Sequence, residues 1–255
     1  MEYSLRKRVV AEALGTGLLV AAVVGSGIMG ERLAGGIVAI ALLANTIATG
    51  AALLALILTL GPISGAHFNP AVTFADAIEH GLPWREVPAY IAAQVAGGIL
   101  GAVVAHLMFG LHWYSFSSHA RQGWAVVFSE FVATFGLLSV ILGCSRLRSG
   151  VTPFAVASYI TAAYWFTAST SFANPAVTLA RSLSDTFAGI RPADAPWFIV
   201  AQFAGALAAT FLFRGLFRIC HRMLKKWWCL TGWHGELTSW RQNPNRFTAW
   251  KSAMF

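Results

Sequence analysis

Two stretches of this sequence decide its fold: SGAHFNPAVT at residues 64–73 and STSFANPAVT at residues 169–178. Each places Asn-Pro-Ala at the start of an apolar run. Asn is a favoured helix N-cap and Pro suits the first helical position, so each stretch predicts a helix that begins at its Asn. The apolar runs last about ten residues, which gives helices of about 15 Å, half the thickness of a bilayer's hydrocarbon core.

The composition indicates an integral membrane protein. Of the 255 residues, 57% are hydrophobic and only 11% are charged, whereas soluble domains contain about 25% charged residues. The first apolar segment is too long for a signal-peptide core, so we expect it to be retained as a helix. Six long apolar segments lie at residues 9–29, 36–60, 87–109, 124–144, 152–168 and 196–217.

The two halves of the chain resemble each other, at about residues 9–109 and 124–217. Three spanning helices per half is an odd number, so the second copy must be inverted. The sequence therefore predicts an all-α membrane protein with six transmembrane helices and two re-entrant half-helices. The polar residues at matching places are Glu12 and Glu130, Gln94 and Gln202, and the triplets Asn69-Pro70-Ala71 and Asn174-Pro175-Ala176.

The stretches before the two half-helices, residues 61–68 and 167–173, do not have a helical pattern. Non-helical backbone at membrane depth is tolerated only where it lines a polar cavity. Half-helices that enter from opposite faces meet at their positive N-termini, where Asn69 and Asn174 offer amide donors. A single Asn-Pro-Ala is a common helix start. Two copies at equivalent places favour a pore that passes neutral solutes and repels cations and protons.

The net charge of +8 is explained by membrane topology better than by nucleic-acid binding. With both termini in the cytoplasm, all but four of the 18 Lys and Arg lie inside, which satisfies the positive-inside rule. We therefore predict a multi-pass protein of the cell's inner membrane. The four outside are Arg32, Arg121, Arg181 and Arg191.

Residues 1–218 form the predicted channel domain, and residues 219–255 a basic, Trp-rich cytoplasmic tail. This tail either lies at the membrane interface, which Trp favours, or is weakly ordered. The three cysteines have no disulfide or zinc spacing. No metal-ligand cluster or nucleophile–base pair is evident, so we expect no cofactor, metal or enzymatic activity.

The stretch at residues 64–73 closely resembles the aquaporin (major intrinsic protein) family, and the resemblance extends over about residues 8–218. It implies one pore per protomer, a homotetramer in the lipid bilayer, and hydrogen bonds from the pore-forming loops to Glu12 and Glu130. An intramembrane carboxylate needs such polar partners. A proton-relay role for these acids is disfavoured, because the spans hold no further ionisable partner.

The family resemblance also implies where solutes are selected. In the family, one filter position lies twenty residues before the first Asn. The other three lie twelve residues before, three residues before and three residues after the second Asn. Here these are Thr49, Ala162, Ser171 and Val177. Water-selective members carry an aromatic residue, a histidine and an arginine among them, and this chain has none. The implied pore is wide and weakly polar.

The sequence resembles a bacterial aquaporin subgroup associated with arsenic resistance at Thr49, at Val177 and over residues 159–170. We therefore expect passage of glycerol-like solutes, arsenite and methylated arsenicals. The alternatives are a channel mainly for water, a structural protein whose pore Phe166 closes, and a secondary transporter, which would need a coupling-ion site. His67 is either a pore-wall residue or a packed histidine, and Arg181 either lines the outer vestibule or is solvated.

Overall fold

The computed structural model describes residues 3–230, with side chains described for residues 3–217. Over the described residues the secondary structure is helical throughout, as the sequence predicts. The α-helices in this range are α1 (Leu5–Leu33), α2 (Val38–Ser64), α3 (Pro70–Ile78), α4 (Val87–Met108), α5 (Trp124–Leu147), α6 (Thr152–Phe166), α7 (Pro175–Arg181) and α8 (Ala195–Leu230).

Both halves have the same order of helices: two longer helices, a half-helix and a third longer helix. Among the described residues, five helical segments are long and apolar enough to cross a membrane: Leu5–Leu33, Val38–Ser64, Trp84–Met108, Trp124–Leu147 and Ala195–Phe217. The sixth apolar segment forms α6, whose 15 residues extend for about 22 Å. It is shorter than the hydrocarbon core of about 30 Å. The two half-helices, α3 and α7, have 9 and 7 residues.

Both half-helices begin at the Asn-Pro steps. The side-chain oxygen of Asn69 accepts the Ala71 N–H at 2.9 Å, and that of Asn174 accepts the Ala176 N–H at 3.0 Å. Pro occupies the first helical position of each, where its missing N–H has no helical partner to lose. The local sequence alone therefore fixes where these helices start.

The end of α2 lies later than the sequence suggests. We expected non-helical backbone from residue 61, but α2 continues through Pro62 to Ser64. A proline in the last turn removes only one backbone hydrogen bond, so it need not end the helix. The helix ends at Gly65, whose φ of 90° is left-handed and whose N–H donates to the Gly61 carbonyl. The irregular segment is therefore limited to residues 65–68.

Helix α1 packs closely against α2 and α4. Glycines make the contact with α4 possible: a β-carbon on Gly97 would collide with the Ala13 carbonyl, and one on Gly17 would lie 3.0 Å from the Gly97 oxygen. Lipid provides no hydrophobic drive between helices, so close backbone contact supplies the van der Waals attraction instead. This packing holds Glu12 of α1 and Gln94 of α4 in the interior, where both are fully buried.

Among the described residues, those up to 211 form one compact unit, and those from 212 onward belong to a second. Of the second unit the structure describes the helical backbone of α8 as far as Leu230 and the side chains of residues 212–217. The proposed division at residue 218 stays a prediction. The Trp-rich part of the tail beyond Leu230 lies outside the described residues.

Candidate functional site

The two Asn-Pro-Ala segments meet inside the helix bundle. The side-chain amide of Asn69 donates to the Ala173 carbonyl at 2.7 Å, and that of Asn174 donates to the Phe68 carbonyl at 2.7 Å. Each Asn therefore caps its own half-helix and also binds the loop before the other. A primary amide has two N–H donors. One is used by this cross-link, so each Asn has one left to offer a solute.

Two buried glutamates organise the loops before the half-helices. Glu130 accepts the N–H groups of Phe172 and Ala173, at 2.9 and 2.8 Å, and the Gln202 amide at 2.6 Å. A charged acceptor makes strong hydrogen bonds in a region of low dielectric constant, so it orders backbone that has no helical partners.

Glu12 has the same role in the first half. It accepts the N–H groups of His67 and Phe68, at 3.0 and 2.7 Å, together with the Ser64 hydroxyl and the Gln94 amide. The amides of Gln94 and Gln202 also donate to Thr73 and Thr178 on the half-helices. The three elements of each half are thereby linked through one carboxylate.

The loops have left-handed backbone at matching places. Ala66 and Phe68 have φ of 50° and 49°, and Ser171 and Ala173 have φ of 49° and 48°. These are the residues three and one before each Asn, and none is glycine. A non-glycine residue in this region costs about 1–2 kcal/mol. The hydrogen bonds from the loop N–H groups to Glu12 and Glu130 offset that cost.

One cavity of about 470 Å³ is lined by residues of both halves. Part of its lining is formed by Arg8, Asp76 and Tyr90, which we call the Arg8 end. Asn69 and Asn174 also line the cavity. It also includes Thr49, Tyr164, Ser171, Val177 and Arg181, which we call the Arg181 end. The junction of the half-helices therefore borders a space that could hold a file of small molecules.

The four predicted filter residues do not all lie in the cavity wall. Thr49, Ser171 and Val177 line the cavity and are buried. Ala162 is exposed on the outside of the bundle and is not in the lining, so its assignment to the filter is wrong. The cavity face of α6 is formed by residues spaced by four: Thr152, Val156, Ile160 and Tyr164. Ala162 lies between the last two, about 200° around the helix.

Tyr164 occupies the place that the sequence analysis gave to Ala162. Its hydroxyl donates to Thr49 Oγ1 at 3.2 Å, and the ring is 3% exposed. The filter is therefore less open than a set of four small residues suggests. The four-residue spacing from Val156 was the signal in the sequence that could have identified Tyr164. Phe166, considered as an occluding residue, is exposed and lies outside the cavity wall.

Arg181 lies within the bundle and not in solvent. Its side chain is 2% exposed and lines the cavity, and its Nε donates to the Ala188 carbonyl. The guanidinium carbon lies 3.4 Å from the centre of the Phe172 ring. Of the two alternatives considered for this residue, the geometry therefore favours the vestibule.

His67 lies at the Arg8 end of the cavity. Its Nδ1 is 3.1 Å from the Thr73 hydroxyl and its Nε2 is 3.6 Å from Asp76. The ring also contacts Tyr90, with centroids 5.5 Å apart. The histidine is thus both packed and part of the cavity wall. Asp76 and Tyr90 were not singled out from sequence, because neither belongs to a repeated motif.

The loop residues around the Arg181 end are tied together by an exposed carboxylate. Asp185 accepts the backbone N–H and the hydroxyl of Ser118, at 2.8 and 2.9 Å. The backbone hydrogen bond from Ser118 lowers the pKa of Asp185 below its usual value. This contact joins the loop after α4 to the loop after α7.

An inverted pair of re-entrant half-helices around a central cavity defines a multi-pass membrane channel. The profile of the Major intrinsic protein family matches residues 1–163. The chain belongs to the major intrinsic protein family, whose members are channels and not enzymes.

Comparisons with individual proteins agree with this assignment. The chain is 54% identical over 225 residues to aquaglyceroporin AqpS of Rhizobium meliloti. The aligned region covers 88% of this chain and 96% of that protein. It is 40% identical over 116 residues to the glycerol uptake facilitator protein of Bacillus subtilis, covering 40% of this chain and 42% of the relative. The X-ray structure of the aquaglyceroporin from Plasmodium falciparum matches with a TM-score of 0.62. That match covers 82% of this chain and 94% of the other, and at 22% identity it supports the fold alone.

Proposed function

We propose that this channel passively conducts neutral hydroxylated solutes larger than water, namely glycerol-like polyols, undissociated arsenite and methylated trivalent arsenicals. The observation that carries this proposal is Val177. It lines the cavity one turn into α7, is 5% exposed, and has no polar atom. An arginine at this place would add a charge and several donors and would fill the space.

The wall around Val177 suits a solute with both polar and apolar surface. Thr49, Tyr164 and Ser171 supply hydroxyls, while Leu53 and Leu137 supply apolar surface. A polyol or a methylated hydroxide can use both. A bare ion would lose its hydration shell without enough partners to replace it, and it would also meet two positive helix ends. Neutral molecules are therefore the favoured cargo.

The similarity to AqpS of Rhizobium meliloti and to the Bacillus subtilis facilitator is consistent with a channel for glycerol-like solutes. The proposal of arsenic compounds rests on the apolar Val177 in place of an arginine and on the sequence resemblance. Positive residues at the start of α1 support cytoplasmic termini in the cell's inner membrane. The exposed apolar side chains of α1 and α2 leave surface for lipid and for the other protomers of a homotetramer.

Proteoliposomes containing the purified channel test the solute class. Stopped-flow shrinkage and uptake should be measured for water, glycerol and arsenite, in the wild type and in Val177→Arg. We expect the variant to lose glycerol and arsenite passage, since the added guanidinium narrows the filter, while water passage persists. Unchanged glycerol and arsenite rates in the variant would show that the filter lies elsewhere.

Leu179→Arg is the matched control for this experiment. It places the same side chain on the same half-helix, at a residue that is 38% exposed and does not line the cavity. We expect its solute rates to equal those of the wild type. A wild-type channel that conducts water and excludes both glycerol and arsenite would instead support the alternative, a channel mainly for water.

A further inference from the structure

Among the side chains that the structure describes, Arg181 is buried without a counter-ion. Some other arginines of the described chain have a carboxylate partner: Arg8 lies 2.7 Å from Glu86, and Arg191 lies 2.8 Å from Asp194. No carboxylate among the described side chains lies within ion-pair distance of Arg181. A buried charge without a partner is unfavourable for folding, so its presence in the cavity wall points to a role in function.

The partners that Arg181 does have leave part of its guanidinium available. The Nε donates to the Ala188 carbonyl, and one face lies on the Phe172 ring. Neither partner carries a negative charge, so the positive charge is held in place and is not neutralised. Within the part of the chain described, the two terminal nitrogens make no hydrogen bond, and they are not among the buried unsatisfied atoms. These donors therefore face the cavity.

The sequence places this charge on the cavity face of α7. Arg181 follows Val177 by four residues, so both lie on one face of the helix, one turn apart. A second polar group is also unpartnered nearby: the hydroxyl of Ser171 is buried in the cavity wall and has no hydrogen bond among the described residues. The filter thus has an apolar level at Val177 and a charged level one turn further along.

We propose that Arg181 is the charge-selecting residue of this channel, which excludes cations at the Arg181 end and donates hydrogen bonds to the hydroxyl oxygens of passing solutes. The second part rests on the proposed function, whereas cation exclusion does not. A fixed positive charge in a region of low dielectric constant repels a cation strongly, because little water is present to screen it. The planar guanidinium also presents several donors in a fixed geometry.

Arg121 provides a matched control for Arg181. Its guanidinium also lies near the Phe172 ring, at 5.1 Å, but it donates to the carbonyls of Gly189 and Ser169 and does not line the cavity. Replacing either arginine by methionine removes a cation from beside the same ring. Only the Arg181 change removes a charge from the pore.

The test is K⁺ and proton flux in proteoliposomes, with fluorescent reporters inside and water permeability measured on the same vesicles. We expect Arg181→Met to raise cation flux per channel about tenfold or more, since it removes a unit charge a few ångströms from the path. We expect Arg181→Lys to keep the flux low, because it keeps the charge. Arg121→Met should remain at the wild-type level.

Two outcomes overturn the proposal. If the cation flux through Arg181→Met equals the wild-type flux, the charge of Arg181 does not exclude cations. Equal leaks in Arg181→Met and Arg121→Met mean that the leak reports damage around Phe172. A wild type that excludes glycerol and arsenite would defeat the proposed function and its hydroxyl-donor part, yet a leak confined to Arg181→Met would still establish cation exclusion.

Discussion

Replacing Glu130 by Gln tests whether the carboxylate holds the second pore loop. The side chain is 0% exposed and accepts three hydrogen bonds, from Phe172, Ala173 and Gln202. A glutamine has one oxygen in place of two, so its NH₂ group must face a donor in either orientation. At least one backbone N–H then loses its acceptor, and the remaining bonds lose their charge assistance.

The magnitude follows from the number of bonds affected. A buried unsatisfied donor costs about 1–3 kcal/mol, and a hydrogen bond to a charged group contributes about 1.5–3 kcal/mol. We therefore expect Glu130→Gln to lower the free energy of unfolding by about 2–4 kcal/mol. Glu12→Gln should lower it further, because Glu12 accepts four hydrogen bonds, two on each oxygen. Unfolding by sodium dodecyl sulfate in mixed micelles, followed by Trp fluorescence, measures both changes.

Thr134→Val is the control on the same helix. Thr134 lies one turn after Glu130, is also fully buried, and its hydroxyl has no hydrogen-bond partner among the described residues. Removing an unpaired buried hydroxyl should leave stability equal or raised. A Glu130→Gln variant that unfolds at the same detergent fraction as Thr134→Val would refute the assignment of the carboxylate as the organiser of the loop.

Two further predictions concern helix packing and the filter. Gly97→Val should sharply reduce the yield of folded channel on size-exclusion chromatography, because a β-carbon there collides with the Ala13 carbonyl. Gly150→Ala, where a β-carbon meets nothing within 4 Å, should fold normally, and equal yields would contradict the close packing of α1 and α4. Ala162→Leu should leave the glycerol-to-water permeability ratio unchanged in swelling assays, since the residue faces outward. A lowered ratio would return Ala162 to the pore wall.

The helices of this protein were largely predictable because their signals are local. The apolar segments at residues 9–29 and 124–144 lie within α1 and α5, and the Asn-Pro steps mark the first residues of α3 and α7. The end of α2 was placed too early, because we expected non-helical backbone from residue 61, whereas the helix continues to Ser64. The left-handed cap at Gly65 is what ends the helix.

The filter was only partly predictable, because it joins residues from different elements. Thr49 and Val177 were found by counting from the two Asn residues, and both line the cavity. The same counting fails on α6, where the irregular loop at residues 167–173 separates the helix from Asn174. The rotation of α6 about its own axis determines which residue faces inward, and that rotation is set by packing against α2 and α5.

The sequence by itself determined an all-helical membrane protein with two inverted halves, because hydrophobic length, helix caps and repetition are properties of neighbouring residues. Only the tertiary structure decided that Tyr164 and not Ala162 lines the cavity, and that Arg181 is buried against Phe172 with no carboxylate partner among the described side chains. Which side chains share a cavity depends on the rotation of each helix about its own axis and on which loops lie next to each other in the bundle. Those choices minimise the energy of contacts between residues far apart in the chain, so a local pattern such as the four-residue spacing on α6 does not by itself settle which face points inward.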